Sequence, residues 1–171
     1  MSIGLLILRL VVGLSLAAHG AQKLFGWFGG YGLAGTGQFL EQLGFRPGRR
    51  QAAQAGLAEA LGGLFLAAGL LTPAAAAAVV AVMLVAAVSV HVKNGFFAQA
   101  GGYEYTLVLG AVALALAFTG PGALSADQAL GIARSGAAWG LAALAAGLIG
   151  GTVPLLTRQK PMQTSAVHEA A

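Results

Sequence analysis

Between residues 3 and 154 the chain alternates long apolar runs with short polar or glycine-rich breaks. Runs at 3–22, 52–71, 74–92, 103–119 and 136–154 each approach the ~20 residues that carry an α-helix across about 30 Å of hydrocarbon. They are continuous, and lack the apolar–polar alternation over ~10 residues that marks a membrane-spanning strand. Five membrane helices are therefore predicted. In the first run Arg9, Gly13, Leu16, Gly20 and Lys23 recur at helical spacing, so this stripe should face protein, where small residues allow close helix contact. A charge inside the run and an aromatic belt after it argue for a retained helix rather than a signal peptide.

The breaks have their own signals. Residues 24–51 open with Phe25, Trp27, Phe28 and Tyr31, rings suited to the membrane interface. Thr36 is predicted to cap a short surface helix with Phe39, Leu40 and Leu43 on one face and Gly44 as its stop. Thr72-Pro73 reads as a tight turn into the next helix, since proline lacks the N–H that a first helical turn leaves unused. A glycine-containing loop bearing Phe96 and Phe97 follows the third run, and Gly120-Pro121-Gly122 closes the fourth. Ser125 is predicted to cap a short piece with Asp127, Leu130 and Arg134. The expected organisation is a four-helix core over 1–135, an additional span over 136–156 and a disordered polar tail over 157–171.

Composition strengthens this reading. Of 171 residues 58% are hydrophobic and only 8% charged, against about 25% charged in soluble domains, so a water-facing surface cannot be assembled. The net charge of +4 then reports orientation and contact with anionic lipid. With five spans, Lys23, Arg46, Arg49, Arg50, Lys93, Arg158 and Lys160 fall on one side and Arg134 on the other. The positive-inside rule makes the basic side cytoplasmic, with the N-terminus outside and the C-terminus inside. No basic run interleaved with stacking aromatics stands clear of the spans, so nucleic-acid binding is not expected. Cysteine is absent, which removes disulfides, thiol relays and Fe–S ligation, and leaves any redox role to a cofactor, a quinone or a partner.

Depth along the helices selects the candidate chemistry. His19, His91 and Glu104 lie near the same membrane face on three different spans, with Lys23, Tyr103 and Tyr105 close by. Each has a plainer alternative: a helix-end histidine bonded to a carbonyl, or a lysine reaching for the interface. Glu59 sits about 12 Å in from that face and Arg9 about 9 Å in from the other, at 1.5 Å per residue. Their backbones would differ in depth by about 9 Å across a ~30 Å core, and an ion pair is expected, structural or proton-exchanging, because an unpaired charge there is costly. Two histidines and a carboxylate are metal-ligand types, yet no metal-binding spacing occurs, so no metal is expected. The glycines at 26–32 lack the strand and Gly-Lys-Ser/Thr of a phosphate loop.

Several ordered motifs resemble the DoxX family: Leu8-Arg9-Leu10 with Gly13, His19-Gly20-x-Gln22-Lys23-Leu24-Phe25-Gly26, Gly35-Thr36 leading to Phe39-Leu40 and Leu43-Gly44, Glu59 with Gly62-Gly63, His91, Tyr103-Glu104-Tyr105 and Phe118-x-Gly120-Pro121-Gly122. The resemblance implies an all-α, polytopic membrane helix bundle with a four-helix core, to which this chain adds a fifth C-terminal transmembrane helix. It further implies a bacterial inner-membrane subunit of a quinone-linked oxidoreductase complex, with protein partners besides the lipid bilayer. Archaeal members supply a membrane subunit of a thiosulfate:quinone oxidoreductase, and bacterial ones join complexes that handle oxidative stress. The polar positions that match are Arg9, His19, Lys23, Glu59, His91 and Glu104. On this basis Glu59, His91 and Glu104 are expected to move protons, while Arg9, His19, Lys23, Trp27 and Tyr103 surround a quinone near the cytoplasmic face. The alternative is a non-catalytic transporter or scaffold using the Arg9/Glu59 pair, with Glu59 as a proton-coupled site.

Overall fold

A computed structural model of the chain describes residues 2–159, so most of the expected polar tail, with Lys160, lies outside the described residues. Among the described residues every regular element is helical: α1 (Ser2–Phe25), α2 (Gly32–Gln42), α3 (Gly48–Ala68), α4 (Thr72–Ala86), α5 (Glu104–Thr119), α6 (Ala126–Ala129) and α7 (Ala137–Thr157). Helix α4 continues through a wider π turn at Ala87–His91 and a tight turn at Val92–Asn94. The five expected spans correspond to α1, α3, α4, α5 and α7. Three helical stretches, Ser2–Phe25, Thr72–Asn94 and Ala137–Thr157, are long and apolar enough to cross a membrane. Helix α5 is apolar but has 16 residues, about 24 Å. Helix α3 reaches 21 residues, yet carries Arg49, Arg50, Gln51, Gln54 and Glu59.

The bundle is built from the inside on small residues. Arg9, Val12, Gly13, Leu16 and Gly20 of α1 are buried, while Ile3, Ile7, Val11 and Leu14 are exposed. Large apolar side chains outside and glycine inside are what a lipid solvent selects, since lipid provides no hydrophobic drive to bury them and helices gain most by close backbone packing. The predicted inward stripe of α1 thus meets α3 directly. A Cβ on Gly13 would lie 2.5 Å from the Gly63 carbonyl oxygen, and a Cβ on Gly63 2.5 Å from that of Gly13. Gly20 meets Gly56 and Ala60 in the same way, so residue pairs across this antiparallel contact sum to about 78, advancing 1.5 Å per residue.

Helix α4 packs between α3 and both α5 and α7. Gly147 lies against Ala77 and Val80, and Gly151 against Ala81 and Leu84. The two sequences advance together, so α7 runs parallel to α4. Leu16, Leu66, Val79, Met83, Leu109 and Leu116 form the shared core.

The connections differ from expectation in two places. Helix α2 begins at Gly32 behind Tyr31, and Thr36 is a buried residue within it rather than its cap. Thr157 still belongs to α7, and the Gln159 N–H donates to the Gly44 carbonyl at 2.9 Å. Ser125 does cap α6, its hydroxyl accepting from the Gln128 N–H at 3.2 Å.

Candidate functional site

The α1–α3 register brings Glu59 level with residue 19 of α1, one helical turn before Lys23. The lysine stem turns back along the helix, and its Nζ forms an ion pair with Glu59 Oε2, the one salt bridge found among the described residues. Glu59 is 3% exposed and Lys23 31%, so the carboxylate is enclosed while its partner keeps one side open.

The expected Arg9–Glu59 pair is not formed. By the same register Arg9 is level with Gly69, about ten residues and 15 Å from the level of Glu59. Helix contacts, rather than distance from the two membrane faces, set the relative height of these residues. Arg9, 1% exposed, instead donates through Nη2 to the Leu124 carbonyl and packs over the Cα of Gly69, where only glycine leaves room. Asp127 is the opposing charge near Arg9. It is the only aspartate in the chain, is 1% exposed, and accepts from Leu71 N at 2.7 Å, Thr72 N at 3.0 Å and Thr72 Oγ1 at 2.7 Å. These are orphan donors of the first turn of α4, which has no cap of its own. The sequence shows a lone aspartate, but the 55-residue separation hid the partnership.

Near the Lys23–Glu59 pair, His19 Nδ1 lies 3.1 Å from Gln22 Oε1 and its Nε2 3.3 Å from the Tyr105 hydroxyl. The Gln22 amide donates to the Phe28 carbonyl at 3.2 Å, which leaves its oxygen as acceptor. A neutral imidazole protonated on Nδ1, accepting from Tyr105 on Nε2, satisfies the whole set. His19 is thereby tied across the bundle to α5, its ring edge-on to Tyr105 at 5.8 Å.

His91 and Glu104 grip the loop between them. His91 Nδ1 donates to the Gly101 carbonyl at 2.7 Å, beside the Asn94 amide at 3.2 Å, and Glu104 Oε2 accepts from Ala98 N at 2.9 Å. Phe96 packs edge-on against Phe97 and Tyr103, with centroids 5.3 and 5.4 Å away. His19, His91 and Glu104 therefore share one end of the bundle, as their depths predicted, while bonding to separate partners. The Ser89 hydroxyl, in the π turn just before His91, is buried without a partner among the described residues.

An open cavity of about 520 Å³ lies between the end of α1 and α2, with Gln22, Lys23, Tyr31, Thr36, Gln38 and Gln42 in its wall. Helix α2 supplies Gly35, Gln38, Phe39 and Gln42 at the three- and four-residue spacing of one helical face. Of the predicted apolar face Phe39, Leu40 and Leu43, only Phe39 shares this wall. Trp27 and Phe25 pack at 5.0 Å with their rings tilted and stay exposed, and neither stands in the cavity wall, where Trp27 was expected. Tyr103 lines a different groove of about 300 Å³ between α4 and α5. Among the described residues no group of three His, Cys, Asp or Glu side chains is placed to hold a metal ion.

A DoxX family model matches residues 4–92, from the first turn of α1 to the end of the extended α4. The matched segment contains Arg9, His19, Lys23, Glu59 and His91; Glu104, Tyr105, Asp127 and α7 lie beyond it. No curated protein and no solved structure matches the chain.

Proposed function

The chain belongs to the DoxX family, and from that premise we propose that this membrane protein is a subunit of a quinone-linked redox complex, whose quinone head group occupies the cavity beside Lys23. The carrying observation is an enclosed carboxylate, Glu59, whose one cationic partner among the described residues stands in the wall of an open 520 Å³ cavity. A quinone carbonyl needs donors, and the wall offers the Lys23 ammonium, the Thr36 hydroxyl and the Gln38 and Gln42 amides. When bound, the quinone supplies two-electron, two-proton redox chemistry, with electrons coming from a partner subunit.

Lys23 holds a proton at the cavity and Glu59 is the base that can take or return it. Gln22, fixed by Phe28 and His19, orients the cavity wall. His91 and Glu104 hold the 95–102 loop and stand outside the cavity wall. The alternative, a non-catalytic transporter or scaffold, would use Glu59 with Lys23 in place of Arg9.

The location is the bacterial inner membrane. Lys23, Arg46, Arg49, Arg50, Lys93 and Arg158 gather at the cavity end of the bundle, and Arg9 and Arg134 at the other. The cavity end is then cytoplasmic. Protein purified in mild detergent should carry extractable quinone, and a short-chain quinone analogue should raise its melting temperature in wild type but not in Gln38→Leu/Gln42→Leu. No extractable quinone together with no analogue-dependent shift would end this reading.

A further inference from the structure

A second cavity, of about 190 Å³, is apolar and lies over α4 between α3 and α7. Ala78, Ala81, Val82 and Val85 form its floor at the spacing of one helical face. Ala58 of α3 and Gly150 of α7 are small enough to leave the space open. Pro154 lies inside α7, so the Gly150 carbonyl four residues earlier has no N–H partner in the helix.

Phe45, which is buried, lines this slot on the side of the α2–α3 connection, with Gln51 and Gln54 of α3 nearby in its wall. The Arg158 guanidinium sits 5.8 Å above that ring, and Arg46 reaches the neighbouring Gln159 amide at 3.2 Å. Arg49 and Arg50 lie exposed on the first turn of α3. The nearby Glu41 carboxylate is engaged by the Gly48 N–H at 2.9 Å. An apolar slot of helical-face length thus ends beneath arginines, where two different chemistries meet.

We propose that this slot binds an anionic phospholipid, with one acyl chain along Ala78–Val85 and its phosphate at Arg46 and Arg158. Basic pockets between membrane helices on the cytoplasmic side are suited to anionic head groups. The apolar slot adds what a surface patch lacks, a place that selects a chain-bearing molecule over a free phosphate. The site is separate from the Lys23 cavity and stands independently of the quinone reading.

The test is native mass spectrometry of the full chain in detergent, titrated with phosphatidylglycerol, phosphatidylcholine of the same chains, or glycerol phosphate. Phosphatidylglycerol should be retained saturably and in preference to the other two. Arg46→Gln/Arg158→Gln should weaken its retention about 30-fold, at roughly a factor of five per basic group. Ala81→Leu and, separately, Ala58→Leu should fill the slot and abolish preferential retention, whereas Ala81→Ser should preserve it. Equal retention of both lipids, displacement by glycerol phosphate, or indifference to both slot-filling changes would each overturn the proposal. Two slot variants from different helices keep the outcome decisive if one of them fails to fold.

Discussion

Removing Lys23 should harm the protein more than removing Glu59. The two partners are unequally enclosed, Glu59 at 3% exposure and Lys23 at 31%. In Lys23→Met the carboxylate stays in a dry helix interface with no counter-charge, a situation that costs about 3–5 kcal/mol when one member of a buried pair is deleted. In Glu59→Gln the lysine can swing its flexible stem toward the open cavity and rehydrate. The remaining cost is one lost hydrogen bond and an imperfectly satisfied amide, about 1–3 kcal/mol. The double variant Lys23→Met/Glu59→Gln carries no buried charge, so it should be more stable than Lys23→Met alone, with a coupling of about 2 kcal/mol or more. Reversible unfolding in mixed micelles, followed by far-UV circular dichroism, measures all three. If Glu59→Gln proves the more damaging single change, or if the two effects simply add, Lys23 is not the group that neutralises Glu59 and the proposed proton pair is wrong.

The helix register makes a second prediction: Gly13→Ala, whose new methyl would lie 2.5 Å from the Gly63 oxygen, should destabilise by about 1–3 kcal/mol in the same assay. Gly4→Ala, with nothing within 4 Å, should be neutral or slightly stabilising. At the opposite end, Asp127→Ala should leave three donors of the α3–α4 turn unsatisfied and cost roughly 3 kcal/mol; hydrogen exchange should show the loss first in the opening turn of α4. Because the chain has no cysteine, single cysteines report topology cleanly. An impermeant maleimide added to intact cells should label Ser135→Cys and spare Gln38→Cys, and the reverse pattern would invert the assigned orientation.

Helix identity was legible because lipid imposes it locally: each backbone group must bond within its own segment, so continuous apolar runs mark helices, three of them long and apolar enough to cross a membrane. The inward stripe of α1 was legible for the same reason, since Gly13 and Gly20 have no other use than to admit a neighbour. Which neighbour, and at what height, was a property of two helices together. Gly13 against Gly63 and Gly20 against Gly56 set a register that handed Glu59 to Lys23 and left Arg9 to the far end. No count of residues from either membrane face contains that information. His19 and Tyr105, like Asp127 and Thr72, meet only because α5 and α6 return to α1 and α4. The sequence by itself determined a membrane-embedded bundle, its small-residue seams and the end where its basic and titratable groups collect. Tertiary structure decided the partners of its buried charges, because a buried charge takes the partner that packing brings into reach.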